Sequence, residues 1–174
     1  MFDFATVMKA LPEGMLLEFG VAAGASINVF AGLCAPRVIY GFDWFKGLPA
    51  DWVMRDGVMP VRGAFRTDRP VVLPNVSLVE GMFSDTLEPF LEQNQGDIAF
   101  CHIDCDLYNS SMYVLNCVAD RFVIGSVLVF DEIEGEGCWG ELRAWEKYQG
   151  QNKTQHWEFI GHQHYQGRVY RLGI

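Results

Sequence analysis

The chain has 174 residues, 50% of them hydrophobic, and a formal net charge of −9. This length predicts a single domain, residues 1–174, with a core large enough to fold without disulfides. The acidic balance disfavours a broad nucleic-acid or anionic-membrane surface, because phosphate binding needs clustered cations. Dispersed cysteines, no visible signal peptide and no apolar run near ~20 residues predict a reduced, cytoplasmic protein that does not span a membrane.

Strand and helix patterns alternate along the chain and predict an open α/β sheet. The predicted strands cover residues 15–19, 37–43, 76–80, 97–103, 125–132, 156–163 and 167–172. The predicted helices cover residues 2–11, 25–33, 86–93, 109–122 and 139–148. The long connection 45–75 is rich in glycine and proline and is predicted to be mostly irregular. Its four arginines indicate either recognition of an anionic substrate group or a solvated loop: Arg55, Arg62, Arg66 and Arg69.

The first strand ends in a glycine turn, the usual place for a nucleotide in an open α/β sheet. Position 22 is Ala, so the G-x-G-x-x-G pattern that cradles a pyrophosphate is incomplete. The E-x-G-x-x-x-G spacing of Glu18, Gly20 and Gly24 resembles motif I of class I S-adenosylmethionine methyltransferases. The resemblance implies that Glu18 holds the ammonium of this cofactor, directly or through water. Gly24 starts the next helix. A buried strand–turn–helix unit without a ligand is the alternative.

Asp43 ends the second strand, about 20 residues past the glycine turn, where a carboxylate can accept hydrogen bonds from both ribose hydroxyls. A cap or turn aspartate is the alternative. Trp44 follows and can flank an adenine. The residues that leave the third strand also border the adenine in an S-adenosylmethionine fold, although Phe83 could equally be a core residue. They are Gly81, Met82, Phe83 and Ser84.

Acidic residues follow two very apolar strands. Asp104 and Asp106 come after the fourth strand, and Asp131 and Glu132 end the fifth. Adjacent parallel strands end close together, so Asp104, Asp131 and Glu132 are predicted to converge. Three such carboxylates repel one another unless a cation neutralises them, and oxygen ligands select Mg²⁺ or Mn²⁺, or Ca²⁺ in a larger site. The three C-terminal histidines lack a suggestive spacing and are not predicted as ligands.

Four segments occur in order: LLEFGVAAGAS, YGFDWFKGLP, LVEGMFSDTLEPFL, and HIDCDLYNSS followed by GSVLVFDE. Together they resemble the macrocin O-methyltransferase family, a metal-dependent branch of the class I S-adenosylmethionine methyltransferases, over roughly residues 12–150. The resemblance implies a Rossmann-like α/β fold with helices on both faces. Its mostly parallel seven-stranded sheet would have the order 3-2-1-4-5-7-6, with the last strand antiparallel.

The resemblance also implies site residues. The cofactor contacts, combined with those predicted above, are Glu18, Gly20, Val21, Ala22, Gly24, Ser26, Asp43, Trp44, Gly81, Met82, Phe83, Ser84 and Asp104. The cation ligands are Asp104, Asp131 and Glu132, the last at a position where the family usually has a second aspartate. The first candidate for the catalytic base is Asp104, with Asp106 and His102 as weaker alternatives.

The predicted function is S-adenosylmethionine-dependent, metal-assisted O-methylation of a small-molecule hydroxyl of a sugar or natural product. Mg²⁺ is the expected cation, and a homodimer is the expected assembly if the chain assembles at all. Two alternatives remain at this stage. One is an S-adenosylmethionine-binding module without catalysis, and the other is an NAD-type oxidoreductase, which the missing glycine disfavours.

Overall fold

The computed structural model describes residues 2–52, 61–134, 139–164 and 166–174. Its strands are β1 (Met15–Phe19), β2 (Ile39–Asp43), β3 (Val76–Glu80), β4 (Ile98–Ile103), β5 (Phe122–Phe130), β6 (Trp157–His162) and β7 (Arg168–Leu172). Its helices are α1 (Phe4–Lys9), α2 (Ala25–Cys34), α3 (Phe83–Gln93), α4 (Tyr108–Val118) and α5 (Trp139–Gln151), with a 3₁₀ turn at Ala119–Arg121 after α4. None of the described helices is long and apolar enough to cross a bilayer.

The strands form one sheet in the order β3-β2-β1-β4-β5-β7-β6. The pairs from β3 to β5 are parallel, and β7 runs antiparallel to both β5 and β6. The predicted fold class and strand order are therefore confirmed. In a sheet of this kind the carboxyl ends of β1 and β4 lie side by side where the chain order reverses, which is where ligands bind.

Several predicted boundaries were wrong by two to four residues. Helix α1 covers Phe4–Lys9 rather than residues 2–11, α4 ends at Val118 rather than at residue 122, and α5 ends at Gln151 rather than at residue 148. Strand β2 begins at Ile39 rather than at residue 37, and β5 ends at Phe130 rather than at residue 132.

Helix α3 begins at Phe83 rather than at residue 86, because Met82 is extended and its carbonyl accepts bonds from the Asp85 and Thr86 amides. Strand β5 begins at Phe122 rather than at residue 125, because the strand continues through an irregularity. There Gly125 has φ +90° and the Ser126 hydroxyl accepts the Val123 amide at 2.9 Å.

The core lies on both faces of the sheet, and all six residues of β4 are buried. On one face Phe19 and Phe42 stack at 4.8 Å, and on the other Phe30 packs on Phe100 at 4.9 Å. Burial of side chains this large contributes about 1.5–3 kcal/mol each. The ends of β1 and β4 are thus held rigidly beneath the site.

Gly20 brings the turn after β1 directly against the residues after β4. Its φ is +92°, and a Cβ atom built there would lie 1.7 Å from the Asp104 carbonyl oxygen. No other residue type fits so close an approach. The glycine turn and Asp104 therefore share one small region.

Candidate active site

A cavity of about 1030 Å³ opens at the carboxyl ends of the central strands. Most of the residues predicted for the cofactor and the reaction line it. They are Gly20, Ala22, Asp43, Trp44, Gly81, Met82, Phe83, Ser84, Asp104, Asp106 and Glu132. Six predicted residues are not part of this lining: Glu18, Val21, Gly24, Ser26, His102 and Asp131. Eleven of the seventeen predicted residues thus line the cavity, and their individual roles stay predictions.

Asp43 holds the glycine turn while it faces the cavity. Its Oδ2 accepts the Val21 and Ala22 amides at 2.9 and 2.8 Å, and its Oδ1 accepts the Phe45 amide at 2.7 Å. The geometry of a turn aspartate is therefore present. A carboxylate oxygen can accept more than one hydrogen bond, so Asp43 can hold the turn and still accept hydrogen bonds from a ribose. Its contact with a ribose stays a prediction.

Phe83 serves the core and the cavity together. Its ring packs edge-on against Phe19 at 5.5 Å, and it also lines the cavity. Met82 and Ser84 flank it, and the Ser84 hydroxyl donates to Asp85 at 3.0 Å. Flat apolar and polar groups side by side suit a purine ring, and this role stays a prediction.

The long loop supplies the opposite wall. Leu48 and Trp52 pack against Leu107 in a small buried cluster, and Leu48 is bound to Ala64 through the backbone at 2.8 Å. As predicted, the described parts of residues 45–75 contain no helix or strand.

The loop arginines do not line this cavity where they are described. Arg69 forms an exposed ion pair with Glu80 at 3.4 Å. Arg62 donates its backbone amide to Asp51 at 2.8 Å. Arg55 lies outside the described residues. This arrangement favours the solvated-loop alternative for Arg69.

Three side chains come together at the tips of β4 and β5. One potential metal-ligating atom from each of His102, Asp104 and Asp131 lies within 4.8 Å of the others, which is close enough for the three to share one metal ion. Asp104 also lines the cavity, so this group and the cofactor wall share a residue. Glu132 faces the cavity and is not part of the group, and its predicted metal role stays a prediction.

The electrostatics of this cluster follow from burial and crowding. Burial raises the pKa of Asp104, and nearby carboxylates add to the shift. Burial by itself would lower the pKa of His102, but the Asp131 and Glu18 carboxylates raise it to about 10. Burial would likewise raise the pKa of Asp131, yet His102 and His164 hold it below its usual value. The crowded carboxylates of this cluster therefore favour bound positive charge, either as protons on His102 and Asp104 or as a cation.

Glu18 lies behind the glycine turn instead of in the cavity. It is fully buried, accepts the Ser26 hydroxyl at 2.8 Å, and has His102 Nδ1 at 3.3 Å from its second oxygen. A direct contact with the methionine end of the cofactor would need this carboxylate to turn. Its cofactor role stays a prediction.

Glu141 is a functional candidate that sequence reasoning missed. It is 1% exposed, and its Oε1 accepts the Cys105 and Asp106 amides at 2.9 and 3.2 Å. Its Oε2 accepts the Glu132 amide at 3.2 Å. One carboxylate thus joins the two loops that carry the acids. The signal was its place on α5, in phase with the buried Ala144 and Trp145.

Asp131 also has partners from the β6–β7 turn that were not predicted. Its Oδ1 accepts Gln163 Nε2 at 2.8 Å and lies 3.1 Å from His164 Nε2. These contacts depend on the hairpin folding back over β5, which sequence spacing does not reveal. They fix the Asp131 carboxylate in place.

The raised pKa of Asp106 predicts that the stability of the protein depends on pH. Burial, with the charges of Glu132 and Asp131, raises its pKa to about 7. Between pH ~4 and ~7 the folded protein keeps a proton that the unfolded chain has lost, so stability falls as pH rises through this window. In EDTA, we expect Asp106→Asn to reduce this fall by about 1–3 kcal/mol, measured from urea unfolding at pH 5 and pH 8.

The exposed Glu92→Gln is the matched control for Asp106→Asn, since it also removes one negative charge. Asn tolerates the left-handed backbone of position 106, where φ is 59°. Equal pH slopes for wild type and Asp106→Asn would contradict the raised pKa.

Comparison with known proteins decides the family. The macrocin O-methyltransferase family model matches residues 57–160, which is more than half of the chain. The chain belongs to the macrocin O-methyltransferase family. As a member, it is an S-adenosylmethionine-dependent O-methyltransferase, and the predicted family and enzyme class are confirmed.

Solved structures agree with the family assignment. The calicheamicin methyltransferase CalS11 is 27% identical with a TM-score of 0.78, over 96% of this chain and 77% of that chain. The O-methyltransferase NovP is 19% identical with a TM-score of 0.71, over 98% and 78%. The mycinamycin-pathway methyltransferase MycE, in complex with Mg and SAH, is 13% identical with a TM-score of 0.58, over 95% and 46%. NovP and MycE show the shared fold alone, and a search of curated proteins gave no significant match.

Proposed function

We propose that this family member methylates a hydroxyl of a small sugar or natural product, with S-adenosylmethionine as donor and a divalent cation as helper. One observation carries the proposal: Asp104 belongs both to the cavity wall and to the group of potential metal ligands. It would therefore place the donor and the activated hydroxyl next to each other. CalS11 is described as a TDP-rhamnose 3'-O-methyltransferase, which supports a sugar-like acceptor.

The donor site would lie at the tips of β1, β2 and β3. Asp43 would accept hydrogen bonds from the ribose, and Trp44 and Phe83 would border the adenine. Gly20 lines the cavity at the turn after β1, where the methionine part would lie. The cavity of about 1030 Å³ is large enough for this donor together with an acceptor.

The acceptor side is rich in aromatic rings. Trp52, Phe65, Tyr108 and Trp139 line the same cavity. Flat apolar side chains of this kind pack on the apolar faces of sugars and of aromatic natural products. They support a small acceptor over a protein or nucleic acid, and the exact acceptor depends on the loop between residues 45 and 75.

In the proposed methyl transfer, Asp104 and Asp131 would each have a role. The acceptor oxygen forms a bond to the methyl carbon as the carbon–sulfur bond breaks, and Asp104 takes the hydroxyl proton. A cation held by Asp104 and Asp131 would supply positive charge that lowers the pKa of the hydroxyl. Holding oxygen and carbon about 3 Å apart supplies much of the rate.

The proposal predicts that removal of divalent cations stops the reaction. We expect EDTA to lower turnover at least ~100-fold, and Mg²⁺ or Mn²⁺ to restore it, because a neutral hydroxyl is a poor nucleophile. The assay follows release of S-adenosylhomocysteine with nucleotide sugars, free sugars and phenols as acceptors. The S-adenosylhomocysteine affinity, measured in parallel, is the control for donor binding. Full turnover after rigorous chelation would remove the cation from the proposal.

A further inference from the structure

Arg143 is a cation in the cavity wall that the proposed methyl transfer leaves without a task. Its side chain is the only positively charged one among the described residues that line the cavity. The guanidinium makes no ion pair or hydrogen bond within the part of the chain that the structure describes. It stays unpaired although the same lining holds five acidic side chains, which are Asp43, Asp51, Asp104, Asp106 and Glu132. Its charge and its N–H donors are therefore available to a bound molecule.

Tyr108 gives this guanidinium a defined position. The central carbon of the guanidinium lies over the Tyr108 ring, 5.5 Å from the ring centre, and both residues line the cavity. A contact of this kind is a cation–π interaction, and it uses the flat face of the guanidinium. The N–H groups at the edge of the plane are not consumed by it. Arg143 can thus offer a held pair of donors to a ligand.

Arg143 lies on the acceptor side of the cavity. It is three residues after Gly140 on α5, so the two share one face of the helix, and both line the cavity. A Cβ atom on Gly140 would lie 1.9 Å from the Asp106 carbonyl oxygen, which shows how closely α5 approaches the loop after β4. Arg143 therefore lies about one helical turn from the loop that carries the proposed catalytic base.

An unpaired guanidinium in this place selects for the charge of the acceptor. Its fork of N–H donors matches two oxygens of a carboxylate or a phosphate. A neutral acceptor leaves this cation without a partner, and the acidic lining repels an anionic acceptor unless a cation holds it. We propose that Arg143 binds a carboxylate or phosphate group of the acceptor and makes the enzyme prefer anionic acceptors to neutral ones. The inference rests on the proposed function, since the acceptor would occupy the same cavity.

Two matched pairs of probes test this preference by titration calorimetry on the protein loaded with Mg²⁺ and S-adenosylhomocysteine. The pairs are 3,4-dihydroxybenzoate with 3,4-dihydroxybenzamide, and thymidine diphosphate with thymidine. In wild type we expect the anionic member of at least one pair to bind about 10–100-fold tighter than its neutral partner, and the pair concerned distinguishes a carboxylate from a phosphate.

Substitutions of Arg143 assign the preference to this side chain. We expect Arg143→Gln to reduce it at least ~10-fold, and Arg143→Lys, which keeps the charge without the fork, to reduce it less. Lys147→Gln is the matched control, because it removes one positive charge from an exposed position of the same helix and should keep the preference. The affinity for S-adenosylhomocysteine should stay within ~2-fold in all three variants.

The outcomes separate this inference from the proposed function. It is overturned if neither anionic probe binds wild type, if neither pair shows a preference, or if the preference survives in Arg143→Gln. A loss of S-adenosylhomocysteine affinity in Arg143→Gln would assign the cation to the donor carboxylate and overturn it as well. An anion preference that depends on Arg143 in a protein without methyl transfer would refute the proposed function alone. Cation-dependent methylation without any anion preference would refute only the role of Arg143.

Discussion

Replacement of Asp104 by Ala is expected to lower turnover at least ~1000-fold while the affinity for S-adenosylmethionine stays within a few-fold. The loss combines two roles, because a positioned general base contributes about 10²–10⁴-fold and a cation ligand is removed as well. Donor binding persists because the Asp43 turn and the β1 and β2 tips do not depend on this side chain. Stopped-time assays give the turnover and calorimetry gives the affinity.

Asp97→Ala is the matched control for Asp104→Ala. Asp97 is an exposed aspartate next to the start of the same strand, at the end away from the cavity. We expect wild-type turnover from it. A large loss of donor binding in Asp104→Ala without a catalytic loss would contradict the assigned role.

The second large effect concerns Glu141. Glu141→Ala leaves the Cys105, Asp106 and Glu132 amides without their acceptor. Buried donors left unpaired cost about 1–3 kcal/mol each, so we expect a loss of about 3–5 kcal/mol in the free energy of unfolding. Turnover should fall at least ~10-fold at a temperature where the variant stays folded, because the loops that bear the acids lose their common anchor.

Glu141→Gln separates the effect of the carboxylate's hydrogen bonds from the effect of the side chain's volume. Glutamine keeps the shape and one acceptor oxygen, but its NH₂ group faces a backbone N–H on one side. We therefore expect an intermediate loss of stability and of kcat, with the KM for the donor little changed. Glu146→Gln, on the exposed side of the same helix, should behave as wild type. If Glu141→Ala matches wild type in both stability and kcat, the anchoring role is refuted.

The fold was predictable because its determinants are local and periodic. Apolar strand runs that end in Gly20, Asp43, Asp104 and Asp131 mark the carboxyl edge of a parallel sheet. The same pattern predicted that Asp104 and Asp131 would meet, and the structure places them in one group with His102.

The remaining features of the site depend on contacts between distant segments. Glu141 reaches the loops only because α5 packs against them, and a Cβ on the neighbouring Gly140 would lie 1.9 Å from the Asp106 carbonyl oxygen. The Glu18 carboxylate points away from the cavity because one oxygen accepts the Ser26 hydroxyl and the other lies beside His102 Nδ1. The spacing of residues along the chain does not predict the contacts of Glu141 or the inward orientation of Glu18.

Titration calorimetry with S-adenosylhomocysteine tests most directly whether the nucleoside lies across the tips of β1 and β2. We expect one molecule bound per chain, no binding of NAD, and a loss of about 10-fold or more in affinity for Asp43→Asn, equivalent to about 1.4 kcal/mol. Binding of NAD with none of S-adenosylhomocysteine, or full affinity in Asp43→Asn, would contradict this placement.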